Sequence, residues 1–265
     1  MDLPPSVVDI DSEDTWPEAA VCLLRQAAPV LDEFEAAERR DVHIRDGNSN
    51  CRWQRLDVIS KLNQIFADCW LVGYHCTRMT VSEIDALSTV GMQPLSLELV
   101  HRRIAQAIDR GDICPSLGKV LLDKNDVIPK AGERLNMLWL NFSRVGLRNE
   151  CGLNALFEYW GGEALYWNQS KKKKVLRKLA EVGRPCIVEM IVPVSGLSWG
   201  PGPFSERMLK HHRRRPTDDE SIVGFDGFVR QAVPPDLVRK VIVDGTDEFE
   251  DLTRRSSWAP LDGTL

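Results

Sequence analysis

Three groups of residues in this 265-residue chain carry side chains that bind or react. Tyr74, His75, Thr77 and Arg78 fall within WLVGYHCTRMT, Trp70 to Thr80, at the end of an apolar run. Tyr159, Trp160, Gly161, Gly162, Glu163, Tyr166 and Trp167 form a mid-chain cluster, and Glu189 and Asp226 are late acidic residues. An imidazole, a hydroxyl and a guanidinium at one strand exit either fill a core or hold a ligand by hydrogen bonds. Aromatic rings offer a wall, and carboxylates supply anions or proton acceptors. Together the three groups suggest a pocket. Each also has a packing reading: a histidine at a strand edge, an aromatic face at helical spacing, glycines that break a helix, and polar residues on the outer side of a half-buried strand.

The elements that must position these groups are legible in the apolar periodicity. CWLVGYHCT reads as a short buried strand. After it comes Thr80 with Glu83 three residues on, a capping-box start, and Gly91 as the stop of the helix that follows. Met92 to Ser96 is a brief extended piece. Helices are expected from Leu97 to about Gly111 and from Leu117 to Asp123, and a strand within Arg134–Arg144 around Met137, Trp139 and Leu140. GLNALFEYWGGEALYW predicts a helix interrupted at Gly161 and Gly162. Arg184–Ser195 is the clearest strand, and it places Glu189 on the face opposite Val188 and Met190.

Upstream, Trp16–Arg40 has apolar residues at helical spacing around Pro29, which predicts one kinked helix or two short ones. Arg45–Asn50 reads as a loop. The segment beginning at Trp53 predicts an amphipathic helix with Leu56, Ile59, Leu62 and Ile65 inward. The first 15 residues, acidic and proline-bearing, are expected as a loose tail. Downstream, Trp199–Ser221 reads as a long surface loop, GFDGFVRQAVPPDLVRKVIVDG as two strands joined around Pro234 and Pro235, and the tail after Glu248 as polar.

With 43% hydrophobic and 28% charged residues, the composition is that of an ordinary globular domain. The net charge of −5 gives no global footprint for nucleic acid, which leaves two local basic clusters, Lys171–Lys174 and Lys210–Arg215, as candidates or as solvated faces. No apolar run approaches the roughly 20 residues that span a bilayer, and the acidic start lacks a signal-peptide core, so no membrane association and a cytoplasmic location are expected. The seven cysteines show no C-x-x-C spacing, so reduced, buried thiols are expected, with neither a metal site nor a disulfide framework. Cys76 lies inside the first cluster but has no evident base beside it.

The order of these motifs resembles the ADP-ribosyltransferase superfamily: YHCTR, a helix ending in VGMQPLS, an aromatic and glycine cluster, and a late V-P-P-D-L-V-x-K-V-I hairpin. The resemblance covers roughly Val72 to Val243 and is most specific between Tyr74 and Ser96, where the family has YHGT at the end of its first strand. It implies an α+β fold with a mixed, antiparallel split sheet over residues 69–265, preceded by a helical extension over residues 1–68. It also implies NAD as substrate, release of nicotinamide, and transfer of ADP-ribose to a protein or nucleic acid, as in toxins or defence effectors.

By position, the resemblance assigns His75 to the adenine-side ribose, Thr77 to the nicotinamide amide and Arg78 to the pyrophosphate, with Tyr74 beside them. Tyr159, or else Tyr166, would stack on nicotinamide. Cys76 stands where the family has glycine. The family's late glutamate aligns with Asp226 or Gly227, which leaves Asp226, Glu189 and Glu163 as candidates for the catalytic carboxylate. Such a group would stabilise an oxocarbenium-like ribosyl carbon. Two alternatives belong beside this reading: a non-catalytic NAD-type ligand-binding or protein-interaction module, and an RNA 2′-phosphotransferase, which also consumes NAD.

Overall fold

The computed structural model describes residues 6–40, 50–123, 134–169, 172–199, 204–213 and 225–261. Its first strand, β1 (Val7–Val8), runs parallel to the start of β2 (Trp70–Met79), Val7 lying opposite Trp70. Along β2, Leu71 and Met79 enter one hydrophobic cluster while Val72, Tyr74 and Cys76 enter another. Alternation with both faces covered is why the segment reads as a continuous apolar run.

The remaining strands are β3 (Leu138–Asn141), β4 (Arg184–Pro193), β5 (Leu197–Trp199), β6 (Asp226–Val229) and β7 (Val238–Val243). They form one seven-stranded sheet in the order β5-β6-β3-β2-β4-β7, with β1 beside β2. Every pairing except β1 with β2 is antiparallel. The β2–β4 ladder is continuous from Trp70 opposite Pro193 to Met79 opposite Arg184. By contrast, β2 and β3 share a single rung, Tyr74 opposite Asn141. Beyond that rung the two strands part, and the sheet forks.

Helices α1 (Glu18–Arg40) and α2 (Asn50–Phe66) pack on the face of the sheet that carries Leu140 and Val188. Their Leu24, Leu62 and Phe66 share one cluster with Val8 and Trp16. The leading segment is therefore part of the sheet's own core. Residues 6–15, expected as a loose tail, supply β1 and the buried Ile10. Pro29 lies within a single helix.

In α2, Ile59 and Leu62 are buried and Ile65 partly so, but Leu56 is exposed and Val58 and Phe66 take inward places. Steps of three fall about 60° short of a full helical turn each time, so four residues so spaced cannot share one face. The loop expected at Arg45–Asn50 lies outside the described residues except for Asn50, where α2 begins.

Next come α3 (Val81–Val90), α4 (Leu97–Asp109), α5 (Pro115–Asp123), α6 (Glu150–Glu158), α7 (Glu163–Tyr166) and α8 (Lys173–Glu181). The capping box of α3 is complete, and the helix ends at Gly91 with φ +64°. A Cβ there would lie 2.0 Å from the Val233 carbonyl oxygen, which bonds to Met92 N in the adjacent bridge.

The stretch expected as a loop contains α9 (Phe204–His212), which buries Phe204, Met208 and Leu209. Its dense charges hid a short apolar stripe; residues 214–221 lie outside the described residues. Nor do β6 and β7 form a hairpin: β6 pairs with β3 and β5, and β7 pairs with β4 on the far side of the fork. The turn at Pro235–Leu237 carries the chain between them, Pro being unable to donate to a ladder. The tail expected as polar contributes α10 (Asp247–Thr253) with Phe249 buried.

Of the second basic cluster, the described residues His211, His212 and Arg213 face carboxylates within the fold, and Arg214 and Arg215 lie outside the described residues. His211 Nε2 lies 3.1 Å from Asp11, His212 Nδ1 2.6 Å from Glu13, and Arg213 Nε 2.7 Å from Glu35. These pairs fasten α9 to the N-terminal segment and to α1. Asp11 also accepts from the Arg144 backbone N–H at 2.6 Å and from Ser143 Oγ at 3.1 Å. Burial pushes the Asp11 carboxyl up, but the His211, Arg144 and Ser143 hydrogen bonds outweigh it and hold the group below the usual carboxylate range. Among the described residues, no helix is long and apolar enough to cross a membrane.

Candidate functional site

A cavity of about 610 Å³ occupies the fork between β2 and β3, a size that suits a small-molecule ligand. His75 and Thr77 line it from β2, Trp139 and Asn141 from β3, and Glu163 and Asp226 from later in the chain. The helices α3, α4 and α6 complete its walls.

His75 spans the fork. Its Nδ1 lies 2.8 Å from the Trp139 carbonyl oxygen. A carbonyl only accepts, so Nδ1 carries the proton. Burial lowers the affinity of the ring for a second proton, the Trp139 carbonyl opposes this and the nearby Arg103 charge adds to it; the net shift is downward. The imidazole is therefore neutral near pH 7, with Nε2 left as an acceptor. Thr77, two residues on, points from the same strand face and is buried.

Arg78 is placed differently from the expected pyrophosphate ligand. Its Nε donates to Val182 O at 2.7 Å, Nη1 to Phe157 O at 3.0 Å and Nη2 to Ala180 O at 2.5 Å. These carbonyls belong to the last turns of α6 and α8, where orphan acceptors and the helix dipole favour a cation. Arg78 does not line the cavity. The arginines that do are Arg102, Arg103 and Arg134.

The aromatic cluster divides at its glycines. Gly161 and Gly162, with φ of +89° and +63°, reverse the chain. Tyr159 and Tyr166 turn into the core, rings 5.7 Å apart, and neither lines the cavity. Trp160 is fully buried and donates from Nε1 to Glu83 at 2.9 Å. Gly161, Gly162, Glu163 and the partly exposed Trp167 face the cavity instead. Consecutive helical residues diverge by about 100°, so Tyr166 and Trp167 cannot both face the same way.

The three carboxylates also separate. Glu163 lies 3.2 Å from Arg134 Nε, and Asp226 lies 3.1 Å from Arg207 Nη1; both line the cavity. Glu189 does not. It is buried on β4 opposite Tyr74, with Arg239 Nε at 3.4 Å and Lys240 Nζ at 3.6 Å. Tyr74 lines the cavity and shares a face with Asn141 across the last β2–β3 rung; burial pushes its phenol well above the ordinary value. Burial likewise pushes the Cys76 thiol far up, which keeps it a neutral core thiol.

Several lining residues escaped the sequence reading. Trp139 and Asn141 share one face of β3, while Leu138 and Leu140 enter the core on the other. Strict alternation over this short strand was the available signal. Glu83, read only as a cap, also receives Arg103 Nε at 2.5 Å, so it joins α3, α4 and the aromatic segment at the cavity wall. Burial would raise its carboxyl, but Arg103 and its hydrogen bonds hold it low. Comparison with protein-family models, with curated proteins and with solved structures finds no match.

Proposed function

We propose that the cavity binds NAD and that the chain is an NAD-dependent ADP-ribosyltransferase. The observation that carries this reading is the neutral His75 at the fork, held through Nδ1 and offering Nε2 to a cavity that Thr77, Glu163 and Asp226 also line. The resemblance of YHCTR and the following helix to the ADP-ribosyltransferase superfamily supports it, as does the split of the sheet beside that motif.

In this reading His75 Nε2 accepts from a ribose hydroxyl and Thr77 meets the nicotinamide amide. Trp167 takes the wall role expected of Tyr159 or Tyr166. Arg102 or Arg134 takes the phosphate role expected of Arg78, since a guanidinium grips phosphate oxygens in bidentate fashion. The bond from the ribosyl carbon to nicotinamide breaks, and nicotinamide leaves as a neutral molecule with the bonding pair. Glu163 or Asp226 stabilises the cationic carbon until the acceptor's nucleophile bonds to it and gives up its proton.

A second reading, NAD binding without turnover, is favoured by the ion pairs that engage the two candidate carboxylates, Glu163 with Arg134 and Asp226 with Arg207. Incubation of the purified protein with NAD separates them. Nicotinamide release that disappears in His75→Ala supports the transferase; a rise in melting temperature with NAD but no nicotinamide supports the binding module. Neither effect would sink both.

A further inference from the structure

We infer that Asn141 and Asp226 form a hydroxyl-binding subsite of the cavity, shaped for the pentose that NAD carries on its nicotinamide side; the choice of that pentose rests on the proposed function, the donor–acceptor pair does not. One line of residues crosses three strands: Tyr74 on β2 is opposite Asn141 on β3, and Asn141 is opposite Asp226 on β6. All three line the cavity. Directly opposed residues share a sheet face and have Cβ atoms roughly 5 Å apart. The Asn141 amide and the Asp226 carboxylate are therefore neighbours at the root of the fork.

Each of the two is held so that one polar atom stays available to a ligand. Asn141 Oδ1 accepts from the Ser143 backbone N–H at 3.1 Å. A backbone N–H only donates, so the atom facing it is the amide oxygen, and Nδ2 keeps its protons without an acceptor among the described residues. The amide lies across Gly146, also in the cavity wall, where a Cβ would come within 2.2 Å of Nδ2. On β6, Arg207 Nη1 donates to the Asp226 carbonyl at 3.0 Å and to Oδ1 at 3.1 Å, which fixes the residue and leaves Oδ2 as the remaining acceptor. One carboxylate backs both arms: Asp11 accepts from Ser143 Oγ at 3.1 Å and faces His211 Nε2 at 3.1 Å, and His211 lies one helical turn from Arg207 on α9.

A donor thus stands beside an anionic acceptor, both oriented before a ligand arrives. Vicinal hydroxyls match that pair, since one accepts from the amide while its neighbour donates to the carboxylate. A phosphate would meet the carboxylate's repulsion, and an apolar group would leave both polar groups desolvated and unpaired. With His75 on the adenine-side ribose, the remaining part of NAD with a vicinal diol is the pentose on the nicotinamide side. Seated on Asn141 and Asp226, that pentose brings its ribosyl carbon to the carboxylate-bearing wall of the cavity, where the transfer needs it.

Calorimetric titration of the full chain with ADP-ribose and with ADP, which lacks the second pentose, tests the subsite. ADP-ribose is expected to bind about tenfold or more tighter than ADP. Asn141→Asp keeps the bond from Ser143 but puts an acceptor where the donor was, and Asn141→Ser withdraws the donor without adding charge; each should erase most of that preference. Gly146→Ala, which displaces the amide, should lower it several-fold. ADP affinity should stay within a few-fold in all three variants, which separates loss of the subsite from loss of the fold. Equal affinity of the unsubstituted protein for the two ligands, or a preference that survives Asn141→Ser, overturns the assignment and leaves the NAD reading standing. Weakening of NAD but not of ADP-ribose by the Asn141 substitutions overturns the choice of group in favour of the nicotinamide carboxamide. If neither ADP nor ADP-ribose binds, the NAD reading fails, and methyl β-D-ribofuranoside at millimolar concentration tests the pair by itself: a rise in melting temperature that Asn141→Ser removes supports it, and no rise overturns it.

Discussion

His75 and Trp139 sit on strands that have already separated, yet the His75 ring reaches the Trp139 carbonyl oxygen at 2.8 Å. The imidazole replaces the backbone ladder at the point where the sheet opens. One bond thereby sets the tautomer of the ring and the width of the fork, and removing it should affect ligand binding and stability to different extents.

His75→Ala should abolish the stabilisation that saturating NAD confers, which at a hundredfold excess over Kd is worth about 2.7 kcal/mol. The ligand-free protein should lose only about 1–2 kcal/mol, the scale of one buried hydrogen bond and its orphaned carbonyl. Thermal melts with and without NAD check both; an undiminished NAD shift in the variant would rule out His75 as a ligand group.

Glu163→Gln and Asp226→Asn should identify the carboxylate that matters. If transfer occurs, one of them should lower nicotinamide release by roughly 100-fold or more while leaving NAD binding within a few-fold. Glu189→Gln should leave the rate nearly unchanged, because Glu189 is turned toward Arg239 and Lys240. A rate collapse confined to Glu189→Gln would reverse this assignment.

Arg78→Ala should act on stability. The substitution leaves the carbonyls of Phe157, Ala180 and Val182 without their shared donor, and a loss of about 3 kcal/mol is expected. Arg78→Lys should not restore it, since a point-like ammonium cannot reproduce the fork of donors. Chemical denaturation measures the loss, and a variant of wild-type stability with weakened NAD binding would return Arg78 to the ligand.

Two partly buried groups predict how stability changes with pH. Asp11 titrates in the fold below its unfolded value of about 3.9, so its contribution is present above about pH 4 and is lost as the pH falls through the folded value. His75 titrates below its unfolded value of about 6.5, so its neutral form stabilises fully above that pH and progressively less as the pH drops toward the folded value. Denaturation midpoints against pH should therefore be flatter below pH 4 in Asp11→Asn and flatter just below 6.5 in His75→Gln. Unaltered slopes would mean that neither group is held as described.

What could be read from the sequence, and what could not, follows from the range of the interactions. The buried strand, the Thr80–Glu83 box and the Gly91 stop are set by residues a few positions apart, and the structure has all three. The strand partners of β6 and β7 depend on contacts more than 40 residues away, to β3 and β4, and local apolar pattern carries no information about them. Side-chain direction was hard to read for the same reason. Arg78 is claimed by carbonyls 79 to 104 residues further on, and Tyr159 is drawn inward by packing against Tyr166 after the turn at the glycines.

The central position of β2 has a consequence for the order of assembly. Its edges are completed by residues near 7, 141 and 190, and the cavity it borders also needs Asp226. A chain emerging from the ribosome must therefore carry this buried strand unpaired on the β4 side until Arg184–Pro193 has been synthesised, more than 100 residues later, and such late, non-local closure is slow. Competent sites should appear only after Asp226 has been synthesised, and products that stop before β4 would expose that strand to aggregation.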